Sequence, residues 1–454
     1  METTLPRIYP TSDSPFEGDL LERTKPAAAL RTLVEAFSEG CVMGLNGKWG
    51  SGKTTFLCMW ERYMENLEYK VIHFNSWEND NVEDPLIALV AEFQKLTNSK
   101  DSTWTTFASN FGKISFAMLP AILGALAEQL TGIPVDKITE KAGDKGTEIM
   151  SKAIDSYIEQ KKSISEFKIA LEKYVEENSN GKPVIFVIDE LDRCNPRFAV
   201  KTLERIKHLF EIENVVYLLA VDEIQLANSI KGYYGSEQFD AKDYLRRFIR
   251  ISYDLPSSNT VNVVNALFER FEFVKLFERG GMYNDEYKAL AEFIPILYWE
   301  RKMSIRQLEQ YMLSLRIVLG NMLRLRFHPT TIALMMLLKM FDSELFEKYL
   351  TYEVDDNNFI KYIEEHFDDV LFDGKSIASL YCFYQGVADM MLIRYKQDQR
   401  NTSLCDKNGN LKFHTSRFDL EQFPVCFSNV DPMMPGLDVV RARFEVLSSI
   451  NLNL

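Results

Sequence analysis

The chain has 454 residues, with 52 Lys or Arg and 66 Asp or Glu, so its formal net charge is −14. A hydrophobic share of 46% beside 26% charged residues is typical of globular proteins and excludes wholesale disorder. The acidic balance argues against a protein that mainly coats nucleic acid. The six cysteines form no CxxC pair and the polar start lacks the apolar core of a signal peptide, so we expect a cytoplasmic protein with reduced thiols.

Five short apolar runs predict β-strands, and helical patterns lie between them. The predicted strands are residues 41–46, 70–75, 182–189, 215–222 and 248–255, and the clearest predicted helices are residues 26–38, 54–66 and 196–210. Short apolar strands that alternate with helices indicate a parallel sheet with helices on both faces. The expected fold class is therefore α/β, a parallel sheet with helices on both faces.

The second and third predicted strands are more than 100 residues apart, so we expect a helical insertion at about 78–181. Its most apolar stretch, residues 114–127, has 14 uncharged residues, whereas a membrane-spanning helix needs about 20. We therefore expect no membrane span, and peripheral attachment stays open. The pattern after residue 256 is mainly helical, which predicts a core at 1–256, a helical lid at 257–345 and a C-terminal region at 346–454.

The segment GKWGSGKT matches the phosphate-binding pattern G-x-x-x-x-G-K-[ST] and lies between a predicted strand and a predicted helix. Glycines allow a tight turn whose N–H groups, with the dipole of the following helix, hold phosphates. We expect Lys53 to reach the β- and γ-phosphates, Thr54 to ligate Mg²⁺ and Thr55 to contact the α-phosphate. The nucleotide-binding residues predicted from this segment are Gly47, Lys48, Trp49, Gly50, Ser51, Gly52, Lys53, Thr54 and Thr55.

Acidic residues end two of the predicted strands. Asp189 and Glu190 close VIFVIDE, where ligands bind at the carboxyl edge of a parallel sheet. We expect Asp189 to hold Mg²⁺ and Glu190 to orient and polarise the attacking water. Asp222 ends the next strand and is predicted to sense the γ-phosphate, with capping of the following helix as the alternative.

Three arginines are candidate catalytic residues. Arg306 follows a predicted Ser304–Gln307 capping box in the first turn of a helix, from which it would fold over the nucleotide; the alternative is a surface arginine. Arg246 and Arg247 enter the last predicted strand, either as an arginine finger acting across a subunit interface or as a solvated basic edge. A finger acting in trans implies a homo-oligomer.

Five segments occur in the order and spacing of KAP-family P-loop NTPases, which the chain resembles over roughly residues 13–320. They are GKWGSGKTTF, HFNSWE, FVIDELDRC, LLAVDE and YLRRFIRISYDLP. That family is similar to the AAA+ and STAND branches, and the resemblance implies binding of ATP with Mg²⁺. The absence of an NKxD-type guanine motif also favours ATP over GTP. Most relatives have two aspartates where this chain has Asp189 and Glu190.

The resemblance also implies roles for residues outside the phosphate loop. Asp19 and Arg23 are expected near the nucleotide base. Trp77 is expected to pack against the nucleotide domain, and Cys194 to pack in the core. Bacterial members of the family resemble prophage- or plasmid-borne proteins, one of which excludes phage, while animal members resemble signalling scaffolds.

The leading functional hypothesis is an ATP-hydrolysing conformational switch that controls a protein effector, in a setting such as bacterial anti-phage defence. The sequence contains no nuclease, protease or deaminase motif, which favours a separate effector. The first alternative is an ATP-dependent nucleic-acid sensor or motor that uses the cations and aromatics of residues 298–327. Amphipathic lid helices with a basic face are the favoured reading of that segment. The second alternative is a scaffold that binds ATP without hydrolysing it.

Overall fold

The computed structural model describes residues 10–82, 84–97, 102–109, 145–236, 238–256, 260–280, 284–322, 328–367, 377–397, 439–440 and 444. These residues form two compact units. The sheet unit comprises the described residues of Tyr9–Glu17 and Arg23–Pro256, and the helical unit comprises those of Gly18–Glu22 and Ser257–Leu454.

Five parallel strands form the centre of the sheet unit. They are β1 (Cys41–Asn46), β2 (Val71–Asn75), β3 (Val184–Asp189), β4 (Val215–Val221) and β5 (Ile251–Asp254). The strand order is β2-β3-β4-β1-β5, and every neighbouring pair is parallel. The carboxyl ends of all five strands therefore meet at one edge of the sheet, as the alternation of apolar runs and helical patterns predicts.

Helices cover both faces of this sheet. They are α1 (Thr24–Ala36), α2 (Lys53–Asn66), α3 (Leu86–Phe93), α4 (102–109), α5 (Lys145–Asn178), α6 (Pro196–Arg205), α7 (Glu223–Tyr234) and α8 (Ala241–Arg246). Successive strand side chains point to opposite faces, so Met43 packs with α1 and α2 while Val42 packs with the other helices. The expected α/β architecture is confirmed.

The insertion between β2 and β3 contains helices, as expected. Its described part holds α3, α4 and α5, whose Phe93, Phe107 and Tyr174 pack in the core of the sheet unit. Residues 110–144, which include the apolar stretch 114–127, lie outside the described residues. Among the residues that the structure does describe, no helix combines the length and the apolar character needed to cross a membrane.

The helical unit contains eight described helices. They are α9 (Thr260–Arg270), α10 (Phe273–Gly280), α11 (Asn284–Glu300), α12 (Ile305–Met322), α13 (Pro329–Phe341), α14 (Ser343–Leu350), α15 (Asp356–His366) and α16 (Ile377–Gln397). One hydrophobic core contains Leu297 and Leu315 together with Phe359 and Met391. It therefore includes residues on both sides of the expected lid boundary at 345/346, and that boundary stays a prediction.

Candidate nucleotide site

The phosphate loop joins β1 to α2 through a turn that only glycine accommodates easily. Gly50 and Gly52 have φ angles of +75° and +84°, in the left-handed region that disfavours other residues. A Cβ on Gly47 would lie 3.0 Å from the Ser51 hydroxyl oxygen, which is buried and has no hydrogen-bond partner among the described residues. The loop is thus a tight cradle with a spare buried donor, which suits a phosphate.

Lys53 begins α2 with its side chain folded back into the loop. Its Nζ donates to the carbonyl oxygen of Gly47 and, at 3.4 Å, to that of Lys48. Burial lowers the pKa of Lys53, and the nearby carboxylates of Asp192 and Asp222 oppose that change. A buried ammonium aimed into a glycine-rich turn is placed to bind phosphate oxygens.

Thr54 and Asp189, the two predicted magnesium ligands, lie together. The Thr54 hydroxyl donates to Oδ2 of Asp189 at 2.9 Å, and the Glu190 N–H donates to Oδ1 at 2.8 Å. Asp189 is only 2% exposed, and this burial raises its pKa. A divalent cation would reverse the effect of burial, and a hydroxyl with a carboxylate beside phosphates is a donor set that Mg²⁺ takes. The residues present therefore fit Mg²⁺ and a nucleotide.

Glu190 follows β3 in a left-handed conformation, with φ of +61°. This conformation is uncommon for a residue other than glycine, and strain of this kind concentrates at functional sites. Its Oε1 lies 2.9 Å from Nη1 of Arg193. Burial raises the pKa of Glu190 although the charge of Arg193 opposes it.

Asp222 makes contacts that belong to both of its expected roles. Its Oδ1 accepts from the N–H groups of Ile224 at 3.1 Å and Gln225 at 3.3 Å, which confirms that it caps α7. Its Oδ2 accepts from the N–H of Trp49 in the phosphate loop at 3.3 Å. Asp222 therefore touches the loop directly, and sensing of the γ-phosphate stays a prediction.

Asp192 lies in the site, although the sequence pattern did not predict it. Its Oδ2 accepts from the indole N–H of Trp49 and from the backbone N–H of Asp222, both at 2.7 Å. One buried carboxylate thus connects the loop after β1, the turn after β3 and the start of α7. The third acidic residue in the segment DELDRC is the signal that would have identified it.

Arg23 supports the phosphate loop from the sheet unit. It is almost fully buried, its Nη1 donates to the Gly52 carbonyl oxygen at 3.0 Å, and its guanidinium lies 5.9 Å from the Phe56 ring centroid. Asp19 belongs to the helical unit, where its carboxylate accepts from the N–H of Leu21 at 3.3 Å. Contacts of both residues with the nucleotide base stay predictions.

The remaining loop residues differ in exposure. Lys48 is exposed, the Trp49 side chain is 46% exposed, and Thr55 is partly buried in the first turn of α2. Their predicted contacts with the nucleotide are not tested by the geometry of the protein alone.

Arg246 and Arg247 lie at the opposite edge of the sheet from the phosphate loop. They end α8, just before the amino end of β5, and the Arg250 N–H beside them donates to the carbonyl oxygen of Val42 near the amino end of β1. Both side chains are exposed, and Arg247 lies 3.9 Å from Asp243. Within one copy of the chain they are not part of the site, so the arginine finger across an interface and the solvated basic edge both stay predictions.

Arg306 lies in the helical unit, exposed in the first turn of α12. The predicted capping box is confirmed, since the Ser304 N–H donates to Gln307 Oε1 at 2.8 Å and the Gln307 N–H donates to Ser304 Oγ at 3.2 Å. The action of Arg306 on the nucleotide stays a prediction.

The aromatics expected to stack on a nucleic acid are mostly inside the helical unit. Tyr298 and Tyr311 are buried, and the Tyr311 hydroxyl donates to the Ala333 carbonyl oxygen at 2.7 Å. Arg301 pairs with Asp342 at 2.5 Å. Residues 323–327 lie outside the described residues. These contacts favour the amphipathic-helix reading of this segment over a base-stacking surface.

Two expectations from the family resemblance have different outcomes. Cys194 is 5% exposed and packs in the core as expected. The Trp77 side chain is 52% exposed and only partly packed, so its expected packing role stays a prediction. Trp77 follows β2 in a short turn at the carboxyl edge, and Arg193 lies over its ring at 5.5 Å from the centroid.

The sequence model of the KAP family P-loop domain matches residues 23–321 of this chain, which is about two thirds of its length. The chain belongs to the KAP family. Its five-stranded parallel sheet, its phosphate loop and the carboxylates beside that loop make it a nucleotide-binding P-loop NTPase by fold. No curated protein sequence matches this KAP chain. The match begins at Arg23, so it includes that arginine and leaves Asp19 outside.

Proposed function

We propose that this protein hydrolyses Mg-ATP and acts as a conformational switch whose nucleotide state controls a protein partner. The convergence of four groups supports the proposal. Lys53, the Thr54–Asp189 pair and Glu190 come from two chain segments that are 135 residues apart, and they meet at the carboxyl edge of the sheet. A site that only binds nucleotide does not need Glu190 one residue after Asp189.

Each group has one task in the proposed reaction. The loop N–H groups and Lys53 hold the phosphates, and Thr54 and Asp189 hold Mg²⁺, which supplies positive charge to the transferring phosphoryl group. Glu190 orients the attacking water and accepts its proton. The raised pKa of Glu190, caused first by burial, makes it a better base than a solvated carboxylate.

The motifs that the sequence lacks support the proposed control of a separate partner. The sequence has no nuclease, protease or deaminase motif, so an effect on nucleic acid or protein requires another molecule. ATP is the proposed nucleotide because the sequence lacks an NKxD-type guanine motif. The family resemblance suggests bacterial anti-phage defence as the setting.

The test is phosphate release from Mg-ATP by the purified full chain and by Glu190→Gln. We expect the substitution to lower kcat by about a hundredfold or more, because general-base catalysis typically contributes that much. ATP binding should persist in Glu190→Gln and disappear in Lys53→Ala. An exposed glutamate on α5 supplies the matched control, since Glu176→Gln changes the same charge away from the site.

Two results would contradict the proposal. If wild type binds ATP and releases no phosphate, the chain is a nucleotide-bound scaffold in this assay. If Glu190→Gln retains wild-type turnover, another group activates the water and Glu190 has no catalytic role.

A further inference from the structure

Glu190, Arg193 and Trp77 form a chain of contacts at the edge of the nucleotide site. Glu190 Oε1 and Arg193 Nη1 are 2.9 Å apart, and the Arg193 guanidinium lies 5.5 Å from the centre of the Trp77 ring. The carboxylate proposed to act on water is thus bound to a cation, and that cation lies against an exposed aromatic ring.

The backbone places Arg193 on Glu190. A single 3₁₀ turn, Leu191–Arg193, follows Glu190, and the Arg193 N–H donates to the Glu190 carbonyl oxygen at 3.1 Å. This turn begins at Glu190, whose φ is left-handed, so the backbone of the turn fixes both Glu190 and Arg193. The ion pair is therefore built into the segment DELDRC.

The turn after β2 places Trp77 beside Arg193. The Ser76 N–H donates to the Asp189 carbonyl oxygen at 2.9 Å, and the Trp77 N–H donates to Asn75 Oδ1 at 3.1 Å. A guanidinium over an indole face is attracted by the ring electrons, which stabilises Arg193 where it meets Glu190. The half-exposed indole thus lies against the guanidinium that contacts Glu190.

Arg193 is only partly buried. Its side chain is 30% exposed, whereas that of Glu190 is 14% exposed. Arg193 also lies within electrostatic range of the Lys53 ammonium, so the guanidinium is close to the phosphate loop as well as to Glu190. The negative charge of a bound nucleotide therefore competes with Glu190 for the same cation.

We infer that Arg193 is a positioning residue that restrains Glu190 in the nucleotide-free protein, and that Trp77 holds Arg193 in the restraining position. This inference rests on the proposed hydrolysis. The Glu190 oxygen that meets the guanidinium at 2.9 Å is not free to orient water, so turnover requires the pair to open. Trp77 then acts only through Arg193.

The test compares kcat for ATP in the full-length wild type and three variants. Arg193→Met keeps the length of the side chain and removes its charge, and we expect it to raise kcat by roughly fivefold, as for the loss of a partly exposed ion pair. Arg193→Lys keeps a cation and should stay near wild type. Trp77→Leu should raise kcat, and combining it with Arg193→Met should give no further increase.

The matched control is Arg197→Met, which removes an exposed arginine four residues further along, in the first turn of α6. It should leave kcat unchanged. Trp77→Leu tests the same restraint independently of whether Arg193→Met folds, because it alters an exposed side chain. A damaged fold lowers turnover, so an increase in kcat separates restraint from a structural role.

Each outcome decides the inference. An unchanged or lower kcat in both Arg193→Met and Trp77→Leu, with wild type active, overturns the restraint and leaves the proposed hydrolysis intact. A higher kcat in Arg193→Met and Trp77→Leu than in an active wild type supports the restraint. If wild type and every variant bind ATP and release no phosphate, both the hydrolysis and the restraint are wrong.

Discussion

At the scale of single residues, Asp192 is the group on which the geometry of the loop depends most directly. Its Oδ2 accepts two N–H groups, one from the Trp49 indole and one from the backbone of Asp222. Hydrogen bonds to a charged acceptor are stronger than neutral ones, and removing the acceptor leaves a buried donor unpaired. Asp192 therefore fixes the relative position of the phosphate loop and the start of α7.

This role predicts weaker nucleotide binding when Asp192 is removed. We expect Asp192→Ala to weaken Mg-ATP binding by about tenfold, which corresponds to ~1.4 kcal/mol, because the loop loses its anchor. Trp49→Phe removes only one of the two donors and should weaken binding less. Calorimetric titration in a Glu190→Gln background, where ATP is not consumed, measures both changes.

The control for this experiment is Asp13→Ala, which removes an exposed carboxylate of the sheet unit. Equal affinities of Asp192→Ala and Asp13→Ala would show that the two hydrogen bonds do not position the loop for nucleotide.

At the scale of elements, strand order brings the acidic groups together. β4 lies between β3 and β1, so Asp222 at its end lies between Asp189 and the phosphate loop. Parallel pairing in register places Asp189 opposite Ala220 and Asn46 opposite Val221. The site is thus a consequence of three strands ending at the same level.

A second element-scale feature is the polar contact between α13 and α16 in the helical unit. Asp389 is nearly fully buried; its Oδ2 accepts from Thr331 Oγ1 at 2.6 Å and contacts His328 Nδ1 at 2.9 Å. Its Oδ1 accepts from Gln385 Nε2 at 2.7 Å. A buried carboxylate with three partners stabilises one arrangement of two helices.

Removing this carboxylate should loosen both helices. We expect Asp389→Ala to lower the free energy of opening of α13 and α16 by about 3 kcal/mol, because the buried Thr331 hydroxyl and the partly buried Gln385 amide lose a charged acceptor. Amide hydrogen exchange of the full chain, read in these two helices, measures the change. The control is Glu347→Ala, which alters an exposed residue on α14. If these two helices exchange as slowly in Asp389→Ala as in this control, the prediction is wrong.

At the scale of the whole molecule, the two edges of the sheet carry opposite groups. The carboxyl edge presents Asp189 and Glu190, and the amino edge presents Arg246 and Arg247. One copy cannot bring these edges together, since the strands separate them. An arginine finger from this pair can therefore act only on the site of a second copy.

This arrangement predicts complementation between two inactive variants. Arg246→Ala/Arg247→Ala has an intact site and no finger, and Glu190→Gln has a finger and no base. We expect a mixture of the two to hydrolyse ATP faster than either alone, because one copy supplies what the other lacks. Phosphate release from mixtures at constant total protein measures this effect.

A mixture of Glu190→Gln with Lys53→Ala is the control, because neither copy then has a complete site. An arginine variant as active as wild type, or a mixture no more active than its components, would show that Arg246 and Arg247 form only a solvated edge.

The sequence by itself determined the fold and the local site. Apolar runs separated by helical patterns predict a parallel sheet, because strands buried on both faces read as near-continuous apolar runs. The pattern from Gly47 to Thr54 specifies the phosphate loop, since its glycines must adopt left-handed or crowded positions. Asp189 and Glu190 are predicted as site residues because they lie at the end of an apolar strand.

Only the tertiary structure decided which distant groups meet. The link from Asp192 to Trp49, the support of Gly52 by Arg23, and the exposure of Trp77 depend on strand order and on loops packed across the sheet edge. The periodicity of apolar residues predicts which face of a helix or strand is buried, but it does not predict which loop packs against that face. Contacts between segments far apart in sequence are fixed by packing, and the structure shows them directly.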